Sequence, residues 1–424
     1  MRWLYSIIFY FSLPFILIRL YWRARRAPAY AERWRERFGF IAPVTTNKTV
    51  IWFHTVSVGE FLGALPLIRL LQQLPTVHLM ITTTTPTGSE RVRAALGDSV
   101  DHVYAPYDIP DAIARFLRRT NPRLLVIMET ELWPNTIAAC AARSIPVLLI
   151  NARLSARSAK GYQRFSAVTQ PMLQQLTAAA IQHQDDAARF AALGLPASAS
   201  HITGNIKFDL TLSESLRAQA SDLKREWSQG GQRLVWIAAS THHGEDEQIL
   251  DAFARLRASA DSTAHTLLLV LVPRHPERFN SVAELCETRG FTIQRRSSGR
   301  SPDGADILLG DTMGELLLLF GASDIAFVGG SLVANGGHNF IEPAAWQLPL
   351  LSGPHVFNFA EVSRLLVDAG ALVHVDSAET LAQQVQLLLA DPTVRLKRGE
   401  VARLVAEANR GALAKTLKLI ESYL

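Results

Sequence analysis

Short runs of consecutive apolar residues, each followed by a stretch of helical periodicity, constrain this chain more than any other feature. In the first half they are Thr49–His54 (TVIWFH), Val77–Thr83, Val100–Tyr104, Leu124–Met128 and Val147–Ile150, with helical patterns near 88–96, 109–118 and 134–142 between them. A strand apolar on both faces must be covered on both faces, and a helix-length connection joins parallel neighbours. The fold class is therefore α/β, with binding groups expected at the carboxyl ends of the strands. After a polar interval the same alternation restarts with Arg233–Ser240, His265–Pro273, Asp324–Val328, Pro349–Leu351 and Ala371–Val375. The pattern predicts two similar halves with a cleft between them, which suits 424 residues better than one domain does. The expected divisions are 1–28, an anchor with a basic flank; 29–209, an acceptor-side domain; 210–232, a linker; 233–400, a nucleotide-sugar domain; and 401–424, a helix returning to the first domain.

The stretch Trp3–Trp22 (WLYSIIFYFSLPFILIRLYW) is interrupted only by Pro14 and Arg19. About 20 mainly apolar residues suffice to cross a bilayer. Arg2 stands alone before the run, whereas Arg23, Arg25, Arg26, Arg33, Arg35 and Arg37 follow it, so the positive-inside bias places the main body in the cytoplasm. A cleaved signal peptide is disfavoured, because no small-x-small site closes the run. Pro14 and Arg19 weaken a span, which leaves single-pass and interfacial placements both open.

Several strand ends are polar: HTVSVGE, TTTTPTGSE, METELWPN and NARLSARS. Glu60 follows the first strand and reads either as a first-turn acid that favours the helix dipole or as a general base. Glu129 and Glu131 bracket Thr130, one suited to substrate and the other to capping or ion pairing. Arg153 and Arg157 form either a solvated helical face or a binding site for an anionic acceptor. In the second half, Arg274 follows a long buried strand, at the edge where a phosphate or carboxylate belongs. The segment Gly310–Pro343 runs from a helix into a strand and then into a glycine-rich loop holding Gly329, Gly330, Gly336 and Gly337. Such a loop lets backbone N–H groups approach an anion. Glu315 and Glu342 sit at its two helix starts, as caps or as acceptors from a sugar diol. The pattern is neither GxGxxG nor GxxxxGK[ST].

Two distant cysteines, Cys140 and Cys286, argue against a disulfide framework. A net charge of +5 with only 19% charged residues suits anionic headgroups or phosphate-bearing substrates. Nucleic acid is disfavoured, since no basic patch is interleaved with stacking aromatics. The histidines His242, His243, His275, His338 and His355 lack the close pair that seeds a catalytic zinc site, so no metal is expected.

VSVGE (Val56–Glu60), ETELWPN (Glu129–Asn135), TGNIKFD (Thr203–Asp209), VPRHPERF (Val272–Phe279), MGE (Met313–Glu315) and GGHNFIEP (Gly336–Pro343) together resemble the bacterial 3-deoxy-D-manno-octulosonic acid (Kdo) transferase family of lipopolysaccharide synthesis. The resemblance covers nearly the whole chain in motif order. It implies a GT-B fold with two Rossmann-like domains, an N-terminal inner-membrane anchor, no cofactor, and metal-independent, inverting transfer of Kdo from CMP-Kdo to lipid IVA. Carried over, the catalytic base is Glu60. The CMP-binding segments are Pro273 and Arg274, Met313, Gly314 and Glu315, and Asn335, Gly336, Gly337, His338, Asn339 and Glu342. The acid near the sugar is Glu129 or Glu131. A membrane-associated UDP-sugar glycosyltransferase and a noncatalytic anionic-lipid or small-anion binding protein remain as alternative readings, because both suit the same architecture.

Overall fold

A computed structural model describes residues 1–259 and 262–424. The chain forms two compact units, Met1–Asp209 with Arg410–Leu424, and Leu210–Asn409. The first contains a seven-stranded sheet of β1 (Thr49–His54), β2 (Val77–Thr83), β3 (Asp101–Tyr104), β4 (Leu124–Met128), β5 (Val147–Ala152), β6 (Ala178–Ile181) and β7 (Ser200–Ile202). Its order is β3-β2-β1-β4-β5-β6-β7, and every pairing is parallel. The apolar runs follow from this layering. On β1, Ile51 and Phe53 join the core on one face with Phe61, Leu67 and Leu71, while Val50 and Trp52 join the other with Ile113 and Phe116.

The second unit repeats the plan with β8 (Val235–Thr241), β9 (Leu268–Pro273), β10 (Ile293–Arg295), β11 (Ile307–Leu309), β12 (Ile325–Val328), β13 (Leu350–Ser352) and β14 (Leu372–His374). The order is β10-β11-β9-β8-β12-β13-β14, again parallel. The strand order reverses about β8, so β9 and β12 diverge from it and leave a crevice at their carboxyl ends.

Two sequence expectations are corrected. Residues 210–232, read as a linker, hold the helix Glu214–Trp227, whose Ala220 and Trp227 are buried within the second unit. Its polar composition reflects one buried face on an otherwise solvated helix. Residues 401–424 are not one helix. The helix Pro392–Ala408 ends at Asn409, and Gly411, at φ 100°, precedes a separate helix, Ala412–Glu421. That last helix belongs to the first unit, where the Asp209 carboxylate accepts from the N–H groups of Gly411 (2.6 Å) and Leu413 (2.7 Å) and Ile420 joins the β1 core. Cys140 and Cys286 are free and buried, and burial pushes both thiols up to about 12.

Candidate active site

In the first unit the polar strand ends converge. Ser57 caps the helix Val58–Gln72, accepting from the Glu60 N–H at 3.3 Å. The Glu60 carboxylate in turn accepts from the Val56 N–H (2.8 Å) and the Ser57 hydroxyl (2.9 Å). Glu60 therefore braces its own helix start and also presents a half-buried carboxyl. Burial pushes that carboxyl up to about 7, against its two hydrogen bonds and with help from the charges of Glu131 and Glu129. Glu129, held at φ 57°, is ion-paired to Lys207 and Arg153, both at 3.3 Å. Glu131 accepts from the Trp133 indole at 3.1 Å, and burial raises its carboxyl too, with Glu129 adding to the rise. Arg157 is exposed on the helix Ala156–Arg164. The structure thus groups Glu60, Glu129, Glu131 and Arg153. It adds Lys207, from the TGNIKFD segment, which pairs with Glu129.

In the second unit a 330 Å³ cavity lies at the carboxyl ends of β8, β9 and β12. Arg274, Gly314, His338, Asn339 and Glu342 line it together with Ser240. Pro273 ends β9 just before Arg274 and is buried. Ser240 sits at φ 59° where the β8–β9 register shifts, a bulge that re-aims the strand end toward the cavity. The β12 loop approaches so closely that a Cβ on Gly329 would lie 2.7 Å from the Ser240 carbonyl oxygen, so glycine is required there.

The glycine-rich loop divides in function. Asn335 and Gly336 offer their carbonyls to the side chain and N–H of Asn358, at 2.9 and 3.0 Å, and the Gly337 N–H donates to Gly330 at 2.8 Å. These three residues shape the loop, and none of them lines the cavity. His338 and His242 stack with their Nε2 atoms 2.9 Å apart. Burial pushes His338 down to about 4, with Arg274, His242 and His275 adding to the effect, so the pair shares a hydrogen bond between neutral rings. Asn339, not Glu342, takes the helix-start N–H of Ile341, at 3.0 Å. Its amide donates to Glu342 at 3.0 Å, and burial raises the Glu342 carboxyl against that bond and the Arg274 charge.

The triplet Met313–Glu315 divides as well. Gly314 lines the cavity, whereas Met313 and Glu315 line a neighbouring 540 Å³ depression with Arg296 and Thr312. The Glu315 carboxylate is held bidentately by Arg296 (3.2 Å) and by the Thr312 hydroxyl (2.5 Å). Burial raises that carboxyl, but the hydrogen bonds outweigh it and the net shift is down. Neither acid's side chain caps its helix: Glu315 is taken by Arg296 and Thr312, and Glu342 by the Asn339 amide.

Beneath the cavity lies a residue that sequence reasoning did not single out. Glu245 is fully buried, and its carboxylate accepts four backbone N–H groups. His242 (2.9 Å) and Gly330 (2.6 Å) donate to one oxygen, and Ser331 and Leu332 (both 2.9 Å) to the other. This single side chain ties the loop after β8 to the loop after β12. A signal was present, since THHGEDE is as polar a strand end as HTVSVGE.

A family model described as 3-deoxy-D-manno-octulosonic-acid transferase matches residues 32–210. A 3-deoxy-D-manno-octulosonic acid transferase of Haemophilus influenzae is 44% identical, covering 100% of this chain and 99% of its own. The chain belongs to the Kdo transferase family. A second member, from Bordetella pertussis, is 37% identical over 100% of this chain and 99% of its own. The protein is accordingly a glycosyltransferase that transfers Kdo. Among solved structures, a glycosyltransferase from Rickettsia africae superposes with a TM-score of 0.58 at 14% identity, covering 89% of this chain and 99% of its own, a likeness of fold. The paired parallel sheets of this Kdo transferase are those of the GT-B fold.

Proposed function

We propose that the protein moves Kdo from CMP-Kdo to a hydroxyl of lipid IVA with inversion, at the cytoplasmic face of the inner membrane and without a divalent metal. The observation that carries this reading is Glu60, a half-buried carboxyl at the end of β1 that titrates at about 7. A base is most effective when its pKa lies near the working pH. Glu60 takes the proton of the lipid hydroxyl as that oxygen attacks the anomeric carbon. The bond to the CMP phosphate breaks on the opposite face, and its electron pair leaves with CMP. Negative charge then grows on the phosphate, where Arg274, which lines the second-unit cavity, is suited to receive it. The first unit serves the acceptor and the second the donor. Arg153 and Lys207, organised by Glu129, and exposed Arg157 are suited to the phosphates of the acceptor or to anionic lipid headgroups.

The test is incubation of the purified chain with CMP-Kdo and lipid IVA in the presence of EDTA, followed by mass spectrometry of the lipid. A Kdo adduct with release of CMP is expected, and the mass gives the number of sugars added. Glycosylation from UDP-sugars but not from CMP-Kdo would refute the donor assignment. Tight lipid binding without transfer from either donor would refute catalysis.

A further inference from the structure

The apolar N-terminal helix is long enough to cross a bilayer, but the chain is fastened to the same unit both near the start of the helix and seven residues beyond its end. It spans Arg2–Arg26, about 37 Å at 1.5 Å per residue. Near its start, Ser6 is buried and exchanges hydrogen bonds with the Asn135 amide at 2.9 and 3.1 Å. One turn later the Tyr10 hydroxyl donates to Asp111, and the Phe9 ring packs 6.3 Å from that of Tyr107. Asn135 is itself rigid, because its N–H and amide donate to Asp108 at 3.0 and 2.8 Å. Beyond the other end, Arg33 is fastened to the His102 carbonyl (2.8 Å) and to Ser89 (3.1 Å) of the same unit. A helix crossing a hydrocarbon core of roughly 30 Å cannot hold both ends against one domain.

Coverage along the helix agrees. Tyr5, Ser6, Phe9, Ser12, Leu13, Ile16, Leu20 and Ala24 recur at helical spacing and are all partly or fully covered. The opposite face is bare: Trp3 is 66% exposed, Phe11 77%, Phe15 73%, Ile18 56% and Trp22 71%. Both tryptophans lie on that face, about 28 Å apart along the axis. Tryptophan favours the headgroup level, and in this geometry both rings reach the same interface. Exposed Arg19, Arg23 and Arg25 flank the bare stripe, placed for anionic headgroups.

We infer that this helix lies in the plane of the cytoplasmic leaflet as a monotopic anchor, with one stripe docked on Asn135, Asp111 and Tyr107 and the other sunk at the headgroup boundary of an anionic bilayer. The inference rests on the membrane reading above and specifies its topology. Its consequence is that the N-terminus stays on the same side of the membrane as the catalytic residues.

Two single-cysteine measurements on the full chain test it, with little background because Cys140 and Cys286 are both buried. Arg2→Cys should resist a membrane-impermeant maleimide in intact spheroplasts and react once they are opened. The Ser6→Cys, Asn135→Cys pair should form an intrachain disulfide in isolated membranes, with Ser6→Cys alone as control. Labelling of Arg2→Cys in intact spheroplasts, or no disulfide in membranes that retain the chain, overturns the in-plane placement. An intermolecular disulfide through Phe11→Cys also overturns it and assigns the bare face to a second copy. Recovery of the chain in the soluble fraction would refute the membrane reading itself, which separates that failure from the others.

Discussion

Glu60, the base in the proposed reaction, has a raised carboxyl pKa that also lowers the stability of the fold holding it. Its carboxyl titrates at about 7 in the folded chain, against the usual 4.5. Between those values the native state holds a proton that the unfolded chain has released, so stability falls as pH rises and reaches its lower plateau above about 7. A shift of this size corresponds to roughly 3 kcal/mol at 1.36 kcal/mol per unit. Solvent screening at a half-buried site reduces the expected effect to about 1–2 kcal/mol. Glu60→Gln removes the ionisation, keeps a carbonyl for the Val56 N–H, and should therefore gain stability relative to the parent on going from pH 5 to pH 8. Thermal unfolding in detergent at both pH values measures this, with hydrogen exchange of the 58–72 helix assigning the change to the first unit. The same variant should bind CMP-Kdo normally and lose at least about a hundredfold in turnover, the usual range for a lost general base. In the parent, kcat/KM should rise about tenfold per pH unit up to about 7 and then level off. A stability difference that stays flat between pH 5 and 8, or near-normal turnover of the glutamine variant, would refute the reasoning.

Arg274→Ala should weaken CMP binding by at least tenfold in titration calorimetry, since a charge-assisted hydrogen bond contributes about 1.5–3 kcal/mol; unchanged affinity would place the donor elsewhere. Glu315→Ala should weaken CMP binding as well, by releasing Arg296 and the Met313–Glu315 turn, and the same titration reads it. Glu245→Ala leaves four N–H groups without an acceptor, those of Gly330 and Ser331 buried, at about 1–3 kcal/mol for each buried one. Hydrogen exchange should therefore show His242 and residues 330–332 unprotected, with CMP binding lost, while Glu245→Gln keeps part of both.

Both sheets were legible in the sequence wherever a strand is covered on two faces. β1, β2, β4, β5, β8, β9 and β12 read as unbroken apolar runs because each residue, inward or outward, meets a helix. Glu60 was legible too, as an acid placed directly after such a run, and the ordered motifs carried the family. The three-residue strands β7, β10 and β11 were not legible. They exist through registers such as Ile307 against Leu269, whereas the equally short β13 and β14 were readable because each lies in a bounded apolar run, Pro349–Leu351 and Ala371–Val375. The roles within each motif were likewise decided by the tertiary structure. Glu315 turns to Arg296, Glu129 is held by Lys207 78 residues away, and Glu245 reaches backbone donors 85 to 87 residues away. Local sequence shows that a carboxylate stands at a strand end or helix start. Which of several donors it takes depends on what the fold buries beside it, because a buried charge is stable only with the partners that tertiary packing supplies.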